Sequence, residues 1–285
     1  MAYKLMKSIS FRFDVDTDLC FSSGVPNLVK LAEDKGCSFT FYVNVGRAID
    51  YGTIFNPRAV KHKVECAKKL TSVKKFGILP VINFLLRNRV VVDDEAVIRM
   101  LLDSPHEVGL HGGRNHASWH RYASGWSGAQ LEDEIKWGVD NFFAAFGRYP
   151  HSFSSPGWNS PKLLPAILTN MQFKYFADLH GVDCEAISFE SELPNIGTQL
   201  AGEPGGVGCL EHLCALGMKN KDAVQYFMSN LMNLFKSSSH VTVYDHPGFA
   251  GVRGHSLMLD ILDAVLSEGV NVLRVDEYFN SVQSR

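Results

Sequence analysis

The chain has 285 residues, carries 28 lysines and arginines against 30 aspartates and glutamates, and is 46% hydrophobic. This composition is that of a globular protein and excludes the disordered and low-complexity classes. The formal net charge of −2 argues against a nucleic-acid-binding protein. No signal-peptide pattern opens the chain, and its longest apolar runs fall short of the ~20 residues that span a bilayer, which predicts a cytoplasmic protein.

Short β-rich runs alternate with helical patterns along the chain. The first strand is predicted at Ser8–Phe13, and the helix after it runs from Pro26, which suits a first turn, to Gly36, which suits a C′ position. A longer helix is opened by a capping box at Ser127 and Gln130. Further strands are predicted at Ser38–Val45, Glu107–Leu110, Ser152–Ser154, Tyr175–Ala177, Asn195–Gln199, Val241–Tyr244 and Val270–Val275, the last of them after a helix at Ser256–Ser267.

This alternation is typical of an α/β protein with parallel strands, and the length fits one barrel-like domain over residues 1–285. Polar residues with catalytic or metal-binding chemistry follow several of the predicted strands. They are Asp14, Asp16, His111, His116, Asp178, Asp245 and His246. Because the carboxyl ends of parallel strands meet at one rim of a barrel, these residues predict a single site there.

Two carboxylates at this rim, Asp14 and Asp16, lie two residues apart and share one face of an extended strand. Such carboxylates repel each other unless a cation lies beside them or one keeps its proton. Two histidines with one carboxylate would leave an open position on a divalent metal, where a bound water becomes a nucleophile. The second aspartate could then act as general base, His246 could protonate a leaving group, and Asp178 could orient the His246 ring.

The motifs together resemble the polysaccharide deacetylase (NodB-homology) superfamily. They are Asp-Val-Asp at 14–16, His-Glu-Val-Gly-Leu-His at 106–111, Ser-Pro-Gly-Trp at 155–158, Asp178 and His246. The sequence is most similar to the branch that deformylates formamido-arabinose attached to undecaprenyl phosphate, with which it shares Asp-Val-Asp-Thr and a Gly-Val-Pro at 24–26. The resemblance implies a distorted (β/α) barrel that hydrolyses the N-acyl group of an amino sugar.

The resemblance also implies a role for each matching residue. Asp14 corresponds to the general base, Asp16 and His111 to metal ligands, and His246 to the general acid. The backbone around Gly157 and Trp158 corresponds to the segment that stabilises the oxyanion. The implied cofactor is a divalent metal, with zinc first and nickel, cobalt or iron as alternatives.

Two positions depart from the family pattern. The metal-binding histidines of the family are four residues apart, but the residue four after His111 is Asn115, and the next histidine is His116. Three alternatives remain open: His116 binds the metal, Asn115 binds it through its carbonyl oxygen, or no metal binds. In addition, Ser155 replaces the third-motif arginine that steadies the base in the family.

The segment 51–92 is strongly basic, with nine lysines and arginines against one glutamate, a net charge of +8. The rest of the chain carries 19 basic against 29 acidic residues, a net charge of −10. Apolar residues interleave the charges, which favours an amphipathic insertion that docks on an anionic membrane surface, such as the inner face of a cell membrane. A lid over the site and a contact between subunits are the alternatives.

The chain contains six cysteines. All six are scattered without a CxxC pair, which predicts reduced thiols; Cys209 and Cys214 form a weak zinc-like pair.

The leading hypothesis is an amide hydrolase acting on an amino-sugar glycan or glycolipid, without a nucleic-acid partner. Two alternatives are a metal-independent ureide or imide hydrolase of the allantoinase type and a glycolipid-binding protein with a disabled site.

Overall fold

The computed structural model describes residues 7–51, 70–78, 81–82, 90–202 and 206–284. The strands, in chain order, are β1 (Ser8–Val15), β2 (Thr40–Val43), β3 (Glu107–His111), β4 (Ser152–Ser154), β5 (Tyr175–His180), β6 (Ile187–Ser188), β7 (Asn195–Thr198), β8 (His240–Asp245) and β9 (Asn271–Val272). The α-helices are α1 (Val25–Lys35), α2 (Ser72–Phe76), α3 (Glu95–Asp103), α4 (His116–Tyr122), α5 (Gly128–Phe146), α6 (Leu164–Asn170), α7 (Cys209–Ala215), α8 (Asn220–Leu234), α9 (His255–Ser267) and α10 (Val275–Gln283).

The strands form one sheet in the order β6-β7-β5-β4-β3-β2-β1-β8, and β9 pairs with the start of β1. All the pairs are parallel except β6 with β7. The sheet curls until the chain after β7 reaches β8, where Leu200 pairs with Val243 and its N–H donates to Thr242 O at 3.1 Å. The predicted α/β fold with a distorted barrel of parallel strands is therefore confirmed.

Successive residues of a strand pack into two separate clusters, as the two-residue period of a strand requires. Phe41 of β2 stacks on Phe13 of β1, with ring centroids 5.7 Å apart, and both belong to the large apolar core that also contains residues of the surrounding helices. Tyr42 belongs instead to a smaller cluster with Tyr175 of β5. Because two strands separate β2 from β5, this second cluster lies inside the curled sheet.

Helix α10 packs at the amino end of the strands. The backbone N–H of Val275 donates to Thr40 Oγ1 at 2.9 Å, and Phe279 packs against the Tyr175 ring with centroids 4.7 Å apart. Glu107, buried at the start of β3, accepts hydrogen bonds from Ser152, Tyr175, Thr40 and the backbone of Asp276. Four hydrogen bonds thus satisfy the buried Glu107 carboxylate, as the burial of a polar group requires.

Most predicted elements are confirmed, including the capping box at Ser127 and the left-handed Gly36 at the end of α1. The last strand is wrong in extent, because only Asn271–Val272 pair and the helix α10 begins at Val275. The Glu277 side chain accepts a hydrogen bond from the Arg274 N–H at 3.0 Å, as the acidic residue of a capping box does, and this contact favours a helix start there.

Most of the basic insertion predicted at 51–92 lies outside the described residues, and the single-domain organisation stays a prediction. Its described part contains α2, which is attached to the body by an ion pair between Lys75 and the buried Glu211. None of the helices that the structure describes is long and apolar enough to cross a membrane. None of the described cysteines forms a disulfide, and Cys66 lies outside the described residues.

Candidate active site

Five predicted side chains meet at the carboxyl rim of the sheet. Asp14 lies on β1, Asp16 follows it, His111 ends β3, His116 begins α4, and His246 follows β8. The loop that carries His116 is held by the chain after β2. The N–H of Arg47 donates to Arg114 O at 3.0 Å, and the N–H of His116 donates to Arg47 O at 2.9 Å. These backbone contacts return His116 to the end of β3, five residues after His111.

Asp16, His111 and His116 form the one described group of three side chains whose possible ligand atoms all lie within 4.8 Å of one another. Asp16 Oδ1 is 3.2 Å from His111 Nε2 and 3.3 Å from His116 Nε2. This buried oxygen nevertheless accepts no hydrogen bond of acceptable geometry from the described residues. An unpaired buried carboxylate oxygen between two imidazoles is an arrangement that a cation would satisfy.

The His111 ring is oriented by β4. Its Nδ1 lies 2.6 Å from Ser154 Oγ and 3.1 Å from Ser154 O. Because a carbonyl oxygen only accepts, this second contact favours the tautomer with its proton on Nδ1. Nε2 then presents its lone pair to the Asp16 oxygen, as a metal-binding histidine does when its other nitrogen donates to the protein. The donor set of one carboxylate and two imidazoles therefore fits a divalent metal.

Asn115 does not take part in this cluster, so the alternative in which it binds metal is contradicted. It is the N-cap residue of α4, and its side-chain oxygen accepts from Ser118 N at 3.0 Å. Its amide nitrogen donates to Ile49 O at 2.8 Å. Both ends of the side chain are thus used in holding the loop and the helix start, and the neighbouring His116 is left to face Asp16.

Asp16 and His246 each shift the pKa of the other. Burial opposes ionisation of Asp16, but the charges of His116 and His246 hold its pKa well below the ordinary value. Burial also opposes protonation of His246, but the charge of Asp16, whose Oδ2 lies 3.1 Å from His246 Nε2, raises the pKa of His246. Nε2 also lies 2.9 Å from the Tyr244 hydroxyl. A protonated His246 fits the role of a proton donor.

Asp178 does not orient His246, and this part of the sequence prediction is wrong. Its two carboxylate oxygens accept from Ser155, one from the backbone N–H at 2.7 Å and the other from the hydroxyl at 2.6 Å. Burial raises the pKa of Asp178, although these Ser155 hydrogen bonds oppose the shift. The His246 Nδ1 is buried and has no hydrogen-bond partner among the described residues.

Trp158 and Gly157 lie in a tight turn, Pro156–Trp158, at the edge of the site. The N–H of Trp158, which the resemblance assigns to an oxyanion, donates to Ser155 O at 3.1 Å in this structure. Both residues have positive φ, 63° for Gly157 and 58° for Trp158. A Cβ on Gly157 would lie 1.6 Å from the His120 ring, which explains why glycine stands there.

Arg12 is a site residue that the sequence interpretation missed. It lies two residues before Asp14 on β1, and its Nε and Nη2 donate to the two Asp14 oxygens at 3.0 and 2.9 Å. The sequence contains a pattern that places Arg12 in the site, because residues 12, 14 and 16 share one face of an extended strand. Asp14 and Asp16 are therefore held differently, the first by an arginine and the second by histidines.

A family model described as polysaccharide deacetylase matches residues 4–176, more than half of the chain. The chain therefore belongs to the polysaccharide deacetylase family. The match contains the Asp14, Asp16, His111 and His116 positions and ends before Asp178 and His246.

Solved structures support the same fold. A protein classed as a polysaccharide deacetylase from Mycobacterium smegmatis is 15% identical, with a TM-score of 0.66 over 100% of this chain and 93% of that one. Another from Pseudomonas aeruginosa PAO1 is 13% identical, with a TM-score of 0.62 over 95% and 88% of the two chains. The PuuE allantoinase is 11% identical, with a TM-score of 0.60 over 96% and 89%. At these identities the likeness concerns the fold alone.

Proposed function

We propose that this chain is a metal-dependent hydrolase that removes an N-acyl group, formyl or acetyl, from an amino sugar. The observation that carries the proposal is the Asp16, His111 and His116 cluster beside a separately held Asp14. These three ligands would hold a divalent cation and leave a position open, as in catalytic zinc sites. Zinc suits this mixed donor set best, and nickel, cobalt and iron are compatible with it.

The cation, when bound, lowers the pKa of a water molecule and polarises the amide carbonyl. Asp14 accepts the proton that this water loses as its oxygen bonds to the carbonyl carbon. His246, protonated through its contact with Asp16, donates a proton to the amide nitrogen as the C–N bond breaks. The products are a carboxylic acid and the free amino sugar, so one water molecule is consumed in each turnover.

An amino-sugar substrate is supported by family membership and by the aromatic rings beside the site. The half-buried Trp158 ring lies 4.7 Å from the exposed His180 ring, measured between centroids. Such rings offer an apolar surface to the C–H face of a pyranose. A lipid-linked formamido sugar is the specific substrate that we propose, because the motifs are most similar to those of the deformylase branch.

A substrate panel tests the proposal directly. The purified protein is stripped of metal, reloaded with zinc, and given acetylated and formylated amino sugars, with and without an undecaprenyl phosphate carrier. Zinc-dependent release of formate or acetate is the expected result. Hydrolysis of allantoin by the metal-free protein would instead support the ureide hydrolase alternative. Glycan binding without hydrolysis in the presence of any of the four metals would favour a binding protein.

We further propose that the insertion brings the protein to an anionic membrane surface from the cytoplasmic side. Among its described residues, Ile78 and Ile82 are 62% and 48% exposed, and the lysines of α2 lie nearby in the chain. Exposed apolar side chains among cations suit an interface with anionic lipid headgroups. Flotation with phosphatidylglycerol vesicles should recover the protein, whereas phosphatidylcholine vesicles should not.

Two matched variants sharpen the membrane test. Ile78→Asp should abolish flotation, because it places a negative charge at the proposed lipid contact. Leu102→Asp is the control, since Leu102 is 41% exposed on α3, outside the insertion. If both variants float as the wild type does, Ile78 does not contact the membrane. Equal recovery with both lipids would contradict the role of charge.

A further inference from the structure

We infer that Arg12 is the positioning residue of the base Asp14, supplied by the same strand in place of the third-motif arginine of the family. The inference rests on the proposed function, in which Asp14 accepts a proton from water. Ser155 stands at the family's arginine position, and its N–H and hydroxyl hold Asp178 rather than Asp14. The residue at position 155 therefore does not hold Asp14, and Arg12 does so instead.

Three aromatic rings enclose the Arg12 guanidinium. Its central carbon lies 4.4 Å from the ring centroid of Trp158, 5.0 Å from that of Tyr42 and 5.6 Å from that of Tyr244. The side chain has no exposed surface, and Nη1 donates to the backbone carbonyl of Ala177 on β5. The guanidinium is thus fixed by β1, β2, β5 and β8 together, which restricts its rotation and its translation.

This fixed guanidinium determines the plane of the Asp14 carboxylate. Two parallel N–H donors meet two oxygens, a geometry that only arginine provides, because lysine acts as a point charge. A carboxylate has about four lone-pair sites, so the remaining ones stay available to accept a proton. Burial opposes the charge of Arg12, but the Asp14 carboxylate raises its pKa above the ordinary value, which keeps the pair ionic.

The identity of the residue at position 12 is tested with Arg12→Lys, which keeps the charge but loses the paired donors. We expect kcat for amide hydrolysis to fall about 100-fold, the effect of a misplacement near 1 Å, with KM and zinc content unchanged. Arg274→Lys is the matched control. Arg274 also donates through Nε to an aspartate two residues away, Asp276, but it lies beside Pro105 at the amino end of β3. Its kcat should stay at the wild-type value.

The outcomes separate this inference from the proposed function. If the wild-type enzyme hydrolyses its substrate and the Arg12→Lys variant has the same kcat, the inference is overturned and the proposed function stands. If the wild type hydrolyses nothing, a crystal structure of Arg12→Lys still decides, since we expect its Asp14 carboxylate to rotate out of the wild-type plane. An unmoved carboxylate would overturn the inference.

A second variant covers the case in which Arg12→Lys does not fold. Tyr42→Leu removes one wall around the guanidinium and leaves both ionic partners in place. Because the guanidinium would gain freedom to shift, we expect kcat to fall at least about tenfold at unchanged KM. A Tyr42→Leu variant with wild-type kcat would show that the ring enclosure does not serve positioning.

Discussion

The neighbours Asn115 and His116 offer a paired test of the proposed metal site, because their side chains make different contacts. Asn115 caps α4 and ties it to Ile49, whereas His116 Nε2 lies 3.3 Å from Asp16. Asn115→Ala should therefore reduce stability and leave metal binding intact. His116→Ala should weaken metal binding and leave the stability of the metal-free protein nearly unchanged.

The magnitudes follow from the contacts that each variant loses. Removing an asparagine N-cap costs about 1 kcal/mol, and the hydrogen bond to Ile49 adds about 1 kcal/mol, so Asn115→Ala should lose about 2 kcal/mol of unfolding free energy. For a chain of this size each kcal/mol lowers Tm by roughly 2–4 °C, or about 4–8 °C in total. His116→Ala loses a direct ligand, so zinc affinity should fall more than about 100-fold, beyond the range for outer-shell partners.

Both variants are measured in the same two assays. Thermal unfolding after chelation reports the stability of the metal-free protein, and competition with a chromophoric chelator reports zinc affinity. Asn115→Asp serves as the control, since a carboxylate can still accept the Ser118 N–H of the cap. The reasoning would be refuted if Asn115→Ala lost zinc affinity as strongly as His116→Ala, because Asn115 would then contribute to the metal site.

Three further changes test the base, the turn and the acid response. Asp14→Asn should lower kcat about 100- to 10,000-fold with zinc content retained, and full activity would remove Asp14 from the base role. Gly157→Ala should cost more than about 1 kcal/mol in thermal unfolding, since a Cβ there meets His120; an unchanged Tm would contradict this. Burial lowers the pKa of His240 to about 3, below its value near 6.5 in the unfolded chain, so stability falls as pH drops through 6.5 towards 3. Measured in urea, the free energy of unfolding of His240→Phe should therefore fall about 2.5 kcal/mol less than that of the wild type between pH 7 and pH 4.5, and equal decreases would show that His240 is not the cause.

The strands and the position of the candidate site at their carboxyl ends could be predicted from the sequence, because each depends on a local pattern. Alternating apolar residues marked β1, β3 and β8, and the parallel order then brought their ends together. The polar residues Asp14, Asp16, His111 and His246 follow from that placement alone. The start of α10 does not follow from the apolar run at Val270–Val275, which favours a strand, although the acidic first turn after Arg274 favours a helix.

The partners of the site residues could not be predicted in the same way. Which of Asn115 and His116 faces Asp16 depends on the backbone contacts of Arg47, which lies some seventy residues earlier in the chain. The pairing of Asp178 with Ser155 depends on the neighbouring positions of β4 and β5. Both are contacts between distant segments, and no local period or spacing encodes them.

The different contacts of the two aspartates follow from one feature of β1. Asp14 and Asp16 share a face, but only Asp14 lies beside Arg12, whose two N–H groups bind both of its oxygens. Asp16 lies past the end of the strand, where the three histidines reach it within 3.3 Å. Both Asp14 oxygens are paired with a fixed cation, whereas Asp16 Oδ1 lies between two imidazole nitrogens and accepts no hydrogen bond from the described residues. In the proposed mechanism, the two-residue step along a strand thus separates the base from the metal ligand without any change of residue type.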